Sequence, residues 1–126
     1  MAESPRVRIL VVDDERVIAD TLAVILALHG YQAFTAYNGQ SGLERAQELN
    51  PELIISDVVM PGINGIDMAV QIRQFLPSCK IILFSGQAAT ADLLNGTAKD
   101  YKFEILSKPV HPRELLEKLE RLQREG

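Results

Sequence analysis

Five short apolar runs alternate with five segments of helical period, and this alternation constrains the fold more than any other feature of the chain. The runs are Arg8 to Val12, Tyr31 to Ala36, Leu53 to Ser56, Ile81 to Phe84 and Phe103 to Ser107. Strand-length runs separated by helices predict βαβ units, hence an α/β domain built on one doubly wound parallel sheet. Right-handed crossovers then place helices on both faces. Ile9 to Val12 and Ile81 to Phe84 are almost wholly apolar, so they belong in the middle, where both strand faces are covered. Tyr31 to Ala36 is more polar and reads as an edge.

The helices are bounded by recognisable punctuation. The first spans about Glu15 to Leu28, with Val17, Thr21, Val24 and Leu28 as its apolar stripe and Ile18, Leu22 and Ile25 widening it; Gly30 stops it. Asn38 caps a second helix that aligns Leu43, Ala46 and Leu49 and ends before Pro51. A turn from Met60 to Gly65 leads into a third, carrying Met68, Ile72 and Phe75 and ended by Pro77. The fourth, between Ala88 and Ala98, is interrupted by Asn95-Gly96 and has only Leu93 and Leu94 for an apolar face, so it is expected to be the most mobile element. The last begins at Pro112 and aligns Leu115, Leu119 and Leu122.

Length and composition narrow the function. At 126 residues, 47% of them hydrophobic and 24% charged, the chain is expected to form one globular domain over residues 1–126. A net charge of -4 argues against a nucleic-acid surface on this domain. The apolar runs are far shorter than the ~20 residues a membrane crossing needs, so no membrane contact is expected. The opening MAESPRVR has no apolar signal core, and the single Cys79 permits no internal disulfide, which suits a reducing cytoplasm. Cys79 itself reads as a loop thiol, and His29 and His111 as helix-end residues.

The strands end in chemistry. Asp13-Asp14 follow the first, Asp57 the third, Ser85-Gly86 the fourth and Lys108-Pro109 the fifth. In a parallel sheet the carboxyl ends of the strands border the ligand crevice, so these residues should converge there. Acids, a hydroxyl and an ammonium together suit a divalent cation and a phosphoryl group. Each also has a plain structural reading: an acidic pair caps a helix, an Asp before Pro-Gly makes a turn, and Ser-Gly and Lys-Pro are loop dipeptides. All four falling on strand ends is what those readings fail to explain.

Leu10-Val11-Val12-Asp13-Asp14-Glu15, Asp57-Val58-Val59-Met60-Pro61-Gly62-Ile63-Asn64-Gly65, Phe84-Ser85-Gly86 and Lys108-Pro109, in that order, resemble the receiver domain of two-component response regulators. The resemblance implies a flavodoxin-like sheet of order 2-1-3-4-5 with five helices. It implies a signalling role rather than an enzymatic one: Asp57 takes a phosphoryl group from a histidine kinase or phosphotransfer protein. Asp14, Asp57 and the Val59 backbone carbonyl would ligate Mg²⁺, with Asp13 acting through water. Lys108 and Ser85 would hold phosphoryl oxygens. The output would pass to another domain or partner protein through the fourth helix, fifth strand and last helix.

The chain departs from the family pattern at Ile105, where receivers usually carry a switching Tyr or Phe, so the switch would rest on Ser85 with Ile105 beside it. Val59 and Gln87 occupy the positions that tune dephosphorylation in the family. Two other functions share these residues. One is a Mg²⁺-dependent aspartyl-phosphate phosphohydrolase, disfavoured because Val59 stands where its second acid belongs and no capping domain is present. The other is a pseudo-receiver that binds without phosphorylation, disfavoured by the complete set of Asp13, Asp14, Asp57, Ser85 and Lys108.

Overall fold

The computed structural model of the chain describes residues 6–86, 96 and 100–125. Strands β1 (Arg8–Val12), β2 (Gln32–Ala36), β3 (Leu53–Asp57), β4 (Lys80–Ser85) and β5 (Glu104–Ser107) form one parallel sheet of order β2-β1-β3-β4-β5. The edge position of β2 agrees with its polarity, and β3 joins β1 and β4 in the interior. Helices α1 (Arg16–Leu28), α2 (Gly39–Leu49), α3 (Gly65–Phe75) and the C-terminal α4 (Pro112–Glu125) are the four among the described residues. The helix expected between Ala88 and Ala98 falls on residues of which only Gly96 is described. No helix among the described residues is long and apolar enough to cross a membrane.

Alternation along the strands divides the core into two layers. Leu10, Val12, Ile54, Ile81 and Leu83 pack beneath α2 and α3 with Ala46, Met68 and Ile72. Ile9, Val11, Leu53, Ile55, Ile82 and Phe84 pack beneath α1 and α4 with Leu26, Leu115 and Leu119. Each fully buried Leu or Ile contributes about 1.5–3 kcal/mol relative to exposure. The interior strands are therefore the rigid part that carries the residues at their ends.

Local chemistry sets the helix ends. The Asn38 side chain accepts from the Ser41 amide at 2.8 Å, and Asn64 accepts from Asp67 at 2.8 Å. Each such cap is worth about 1 kcal/mol. The Nδ1 of His111 accepts from the Arg113 amide at 3.2 Å, which makes it the cap of α4. At the C-terminal end of α1, His29 Nδ1 lies 2.9 Å from the Ile25 carbonyl.

Helix α1 corrects the stripe read from sequence. Val17 and Leu28 are each 79% exposed and Val24 is 60% exposed, while Ala19 and Leu26 are the buried residues. The helix is apolar on most of its circumference, so periodicity alone cannot choose a face. The small Ala19 lets the backbone lie close to the sheet, and the bulkier β-branched side is left outside. Cys79 is a second correction: it is buried at the entrance to β4, where loss of hydration pushes its thiol up to about 12. Phe75, expected to share the buried face of α3, is half-exposed.

Candidate functional site

The crevice is built where β1 and β3 stop. The Asp13 amide still pairs with the Ala36 carbonyl at 3.1 Å, extending the β1–β2 ladder by one residue and fixing the backbone of the acidic pair. The Asp13 side chain turns back to accept from the Glu15 amide at 2.9 Å. Asp57, the last residue of β3, lies opposite Phe84 in the β3–β4 register, and the next amide, Val58, bonds to the Phe84 carbonyl at 3.2 Å. Carboxylate oxygens of Asp13, Asp14 and Asp57 lie within 4.8 Å of one another. Asp13 and Asp57 are buried, whereas Asp14 faces solvent.

Gathering three acids has an electrostatic consequence. Burial holds the Asp13 carboxyl above its ordinary value, the Glu15 amide opposes this, and the charge of Asp57 adds to the rise. A cation relieves that repulsion. Mg²⁺ takes oxygen ligands at about 2.0–2.1 Å in an octahedron, which sets its ligands roughly 3 to 4.2 Å apart. Three carboxylates within 4.8 Å fit that span with little adjustment, and the exposed Asp14 leaves room for water ligands.

Lys108 supplies the opposing charge. Its Nζ donates to Asp57 Oδ2 at 2.8 Å, and its backbone amide bonds to the Ser85 carbonyl at 2.9 Å, tying the loop after β5 to the end of β4. Gly86 lies against the Lys108 stem, where an added Cβ would meet Cδ at 3.4 Å. Ser85 is half-buried one register step beyond Phe84, at the same sheet edge. Among the described residues no hydrogen bond joins its hydroxyl to Asp57. Val59 is 60% exposed just past Asp57, and Ile105 is 39% exposed on β5, paired with Leu83. Gln87 lies outside the described residues.

Two supporting residues escape a reading of the sequence alone. Ser56 is fully buried, and its hydroxyl donates to the Asp57 carbonyl at 2.9 Å. Gly65 brings its own backbone against that same carbonyl: its amide bonds to Val58 at 2.8 Å, and a Cβ there would stand 2.1 Å from the Asp57 oxygen. The Gly-Ile-Asn-Gly turn carried the signal for Gly65 as punctuation, not as a contact. The Lys108–Asp57 pair is likewise visible only once β3 and β5 are placed around β4.

Comparison with known proteins agrees with this geometry. Residues 9–120 match the response regulator receiver domain family. The chain is 33% identical over 121 residues to the chemotaxis protein CheY of Thermotoga maritima, covering 98% of that protein. It is 32% identical to the DNA-binding response regulator MtrA of Mycobacterium tuberculosis, of which it spans 49%. It superposes on a CheY-like receiver domain from Methanospirillum hungatei with a TM-score of 0.86 and 28% identity, covering 97% of this chain and all of that one. CheY4 of Vibrio cholerae gives a TM-score of 0.82 at 27% identity, with 94% of this chain and 99% of that one covered. The acid-lined end of a 2-1-3-4-5 sheet thus has the setting its sequence implied, and the chain belongs to the response regulator receiver domain family of two-component signalling.

Proposed function

We propose that Asp57 accepts a phosphoryl group from the phosphohistidine of a histidine kinase or phosphotransfer protein, and that the modified domain presents an altered surface to its target. The observation that carries this reading is the convergence of three carboxylates within 4.8 Å with Lys108 only 2.8 Å from Asp57. An Asp57 oxygen attacks phosphorus, the O–P bond forms as the N–P bond breaks, and the imidazole leaves with a proton. Lys108 then moves from the carboxylate to the incoming phosphoryl oxygens as a mobile point charge. Ser85 stands ready to donate to another of those oxygens. Asp14, Asp57 and the Val59 carbonyl, with Asp13 acting through water, would hold Mg²⁺, which would supply positive charge to offset that of donor and acceptor.

The exposed apolar stripe of α1 supports a protein donor. It begins at Val17, three residues after Asp14, so a helix resting on Val17, Val24 and Leu28 would bring a neighbouring side chain to the crevice. Acetyl phosphate with Mg²⁺ should add a single phosphoryl mass to the chain, and none in excess EDTA. Labelling that persists undiminished in EDTA would overturn the role given to the cation.

Signal transmission and signal lifetime are separable in this site. Ile105 has no hydroxyl and is part-exposed on β5, so Ser85 carries the contact to the phosphoryl group. Ser85→Ala should shrink the phosphorylation-induced change in amide exchange around β5, and Ile105→Tyr should enlarge it. Equal changes in both variants and the parent would remove these residues from the switch. Val59 shields the line of water attack without offering a group to orient it, while Gln87 can hold a water by its amide. Phosphate should therefore be lost over minutes to hours, and Val59→Asn should accelerate release. Release at the same rate in parent and variant would show that Val59 is not the gate.

A further inference from the structure

At the sheet edge opposite the acids, two cavities adjoin and share Pro77, Ser78, Cys79, Lys80 and Leu122. The larger is about 480 Å³, within the range of small-molecule sites, and its walls include Val7, Leu53, Phe75, Leu76 and Leu122. It opens between the C-terminal ends of α3 and α4, where the two core layers meet. The half-exposed Phe75 is explained by this cavity, since its ring forms part of the wall.

The smaller cavity, about 350 Å³, is lined by both charges, but they are not equally free. Glu104 is already paired with Arg121 at 3.1 Å and Lys118 at 3.6 Å, and Glu125 with Arg121 at 3.6 Å. Arg73 is spent on backbone: it donates to the Cys79 carbonyl at 2.7 Å and to that of Tyr101. Lys80 and Lys102 have no ion-pair partner among the described residues, and Glu52 is the one unpaired acid on the rim of the larger cavity. The backbone polar groups at the floor are also satisfied, with Lys80 N bonded to Glu52 O at 3.0 Å and Glu52 N to Arg8 O at 3.0 Å.

We propose that this amino-edge cavity binds a small amphipathic carboxylate, its apolar body against Leu53, Phe75, Leu76 and Leu122 and its carboxylate between Lys80 and Lys102. Lys80 and Lys102 both line the smaller cavity and have no ion-pair partner among the described residues, whereas the unpaired Glu52 lines only the larger, so an anionic head belongs in the smaller cavity and a hydrocarbon chain in the larger. The site lies outside the phosphoryl crevice and uses none of its residues. It extends the phosphoacceptor reading without depending on it.

Amide NMR titration of the full chain without Mg²⁺ or phosphodonor tests the site with decanoate, octanoate and decan-1-ol as probes. Decanoate should shift amides near Val7, Leu53, Phe75, Lys80 and Leu122 in a saturable way, and leave Asp14 and Lys108 unmoved. Two extra methylenes should make decanoate bind roughly tenfold tighter than octanoate. The double variant Lys80→Gln, Lys102→Gln should weaken decanoate about fivefold and leave decan-1-ol unchanged. Ser78→Trp, a substitution at an exposed position on the rim, should block both probes. No saturable shifts, shifts of equal size along the apolar stripe of α1, or equal losses for acid and alcohol in the lysine variant would each overturn the proposal.

Discussion

Replacing Asp14 with alanine should weaken Mg²⁺ binding by at least about a hundredfold, and replacing Asp13 by about tenfold. In the proposed ligand set Asp14 would bind the ion directly and Asp13 through water, which gives the larger and the smaller figure. The metal-free fold should respond in the opposite sense. Burial raises the Asp13 carboxyl above 3.8, with the charge of Asp57 adding to it, so the folded state holds this proton more tightly than the unfolded chain. Stability is then lost as pH rises from 3.8 through the folded value. Asp13→Asn should accordingly raise the melting temperature in EDTA at neutral pH, give no gain below pH 3.8, and lose its advantage when Mg²⁺ is saturating. Isothermal titration and melts of both variants check this. Equal Mg²⁺ affinity in Asp14→Ala and the parent would remove Asp14 from the ligand set.

Gly65→Ala should be among the most damaging conservative substitutions in the chain. The new Cβ would stand 2.1 Å from the Asp57 carbonyl oxygen, 3.0 Å from its carbon and 3.1 Å from the Ser56 hydroxyl. Two of those neighbours are backbone and the third is buried, so nothing flexible can yield. Either the turn opens or the end of β3 moves, at about 3 kcal/mol or more. For a domain of this size that is a fall of roughly 10 °C in Tm. Because the displaced backbone carries Asp57, the proposed phosphoacceptor, its labelling should fall as well, even below the melting range. Gly62→Ala is the contrast. Its φ of +77 strains a side chain, but no atom lies within 4 Å of the added Cβ, so the cost should be about 1–2 kcal/mol with the site intact. Equal melting temperatures for the two variants would contradict the close-approach account of Gly65.

The sheet and most of the site were readable because each rests on a local rule. Apolar runs specify strands, polarity places β2 at the edge, and a parallel sheet sends every carboxyl end to the same side, so Asp13, Asp14, Asp57, Ser85 and Lys108 had to gather. Helix starts were equally legible through Asn38 and Pro112. The face of α1 was not, because Val17, Val24 and Leu28 are as apolar as the residues that are buried. There the choice depends on how closely Ala19 can approach the sheet, which is a tertiary property. The burial of Cys79 is hidden for a related reason: Pro77-Ser78 marks a turn, but the residue after it already lies in the core at the start of β4. Ser56 and Gly65 shape the site through single contacts to one carbonyl, and no periodicity records such contacts.

In the proposed reaction Asp57 is the one acceptor and its carboxylate is the nucleophile. Intact-mass spectrometry of the parent and of Asp57→Asn, each incubated with acetyl phosphate and Mg²⁺, tests it most directly, since the amide keeps the shape but loses the attacking charge. One added phosphoryl group on the parent and none on the variant is the predicted result; equal labelling of the two proteins would contradict it.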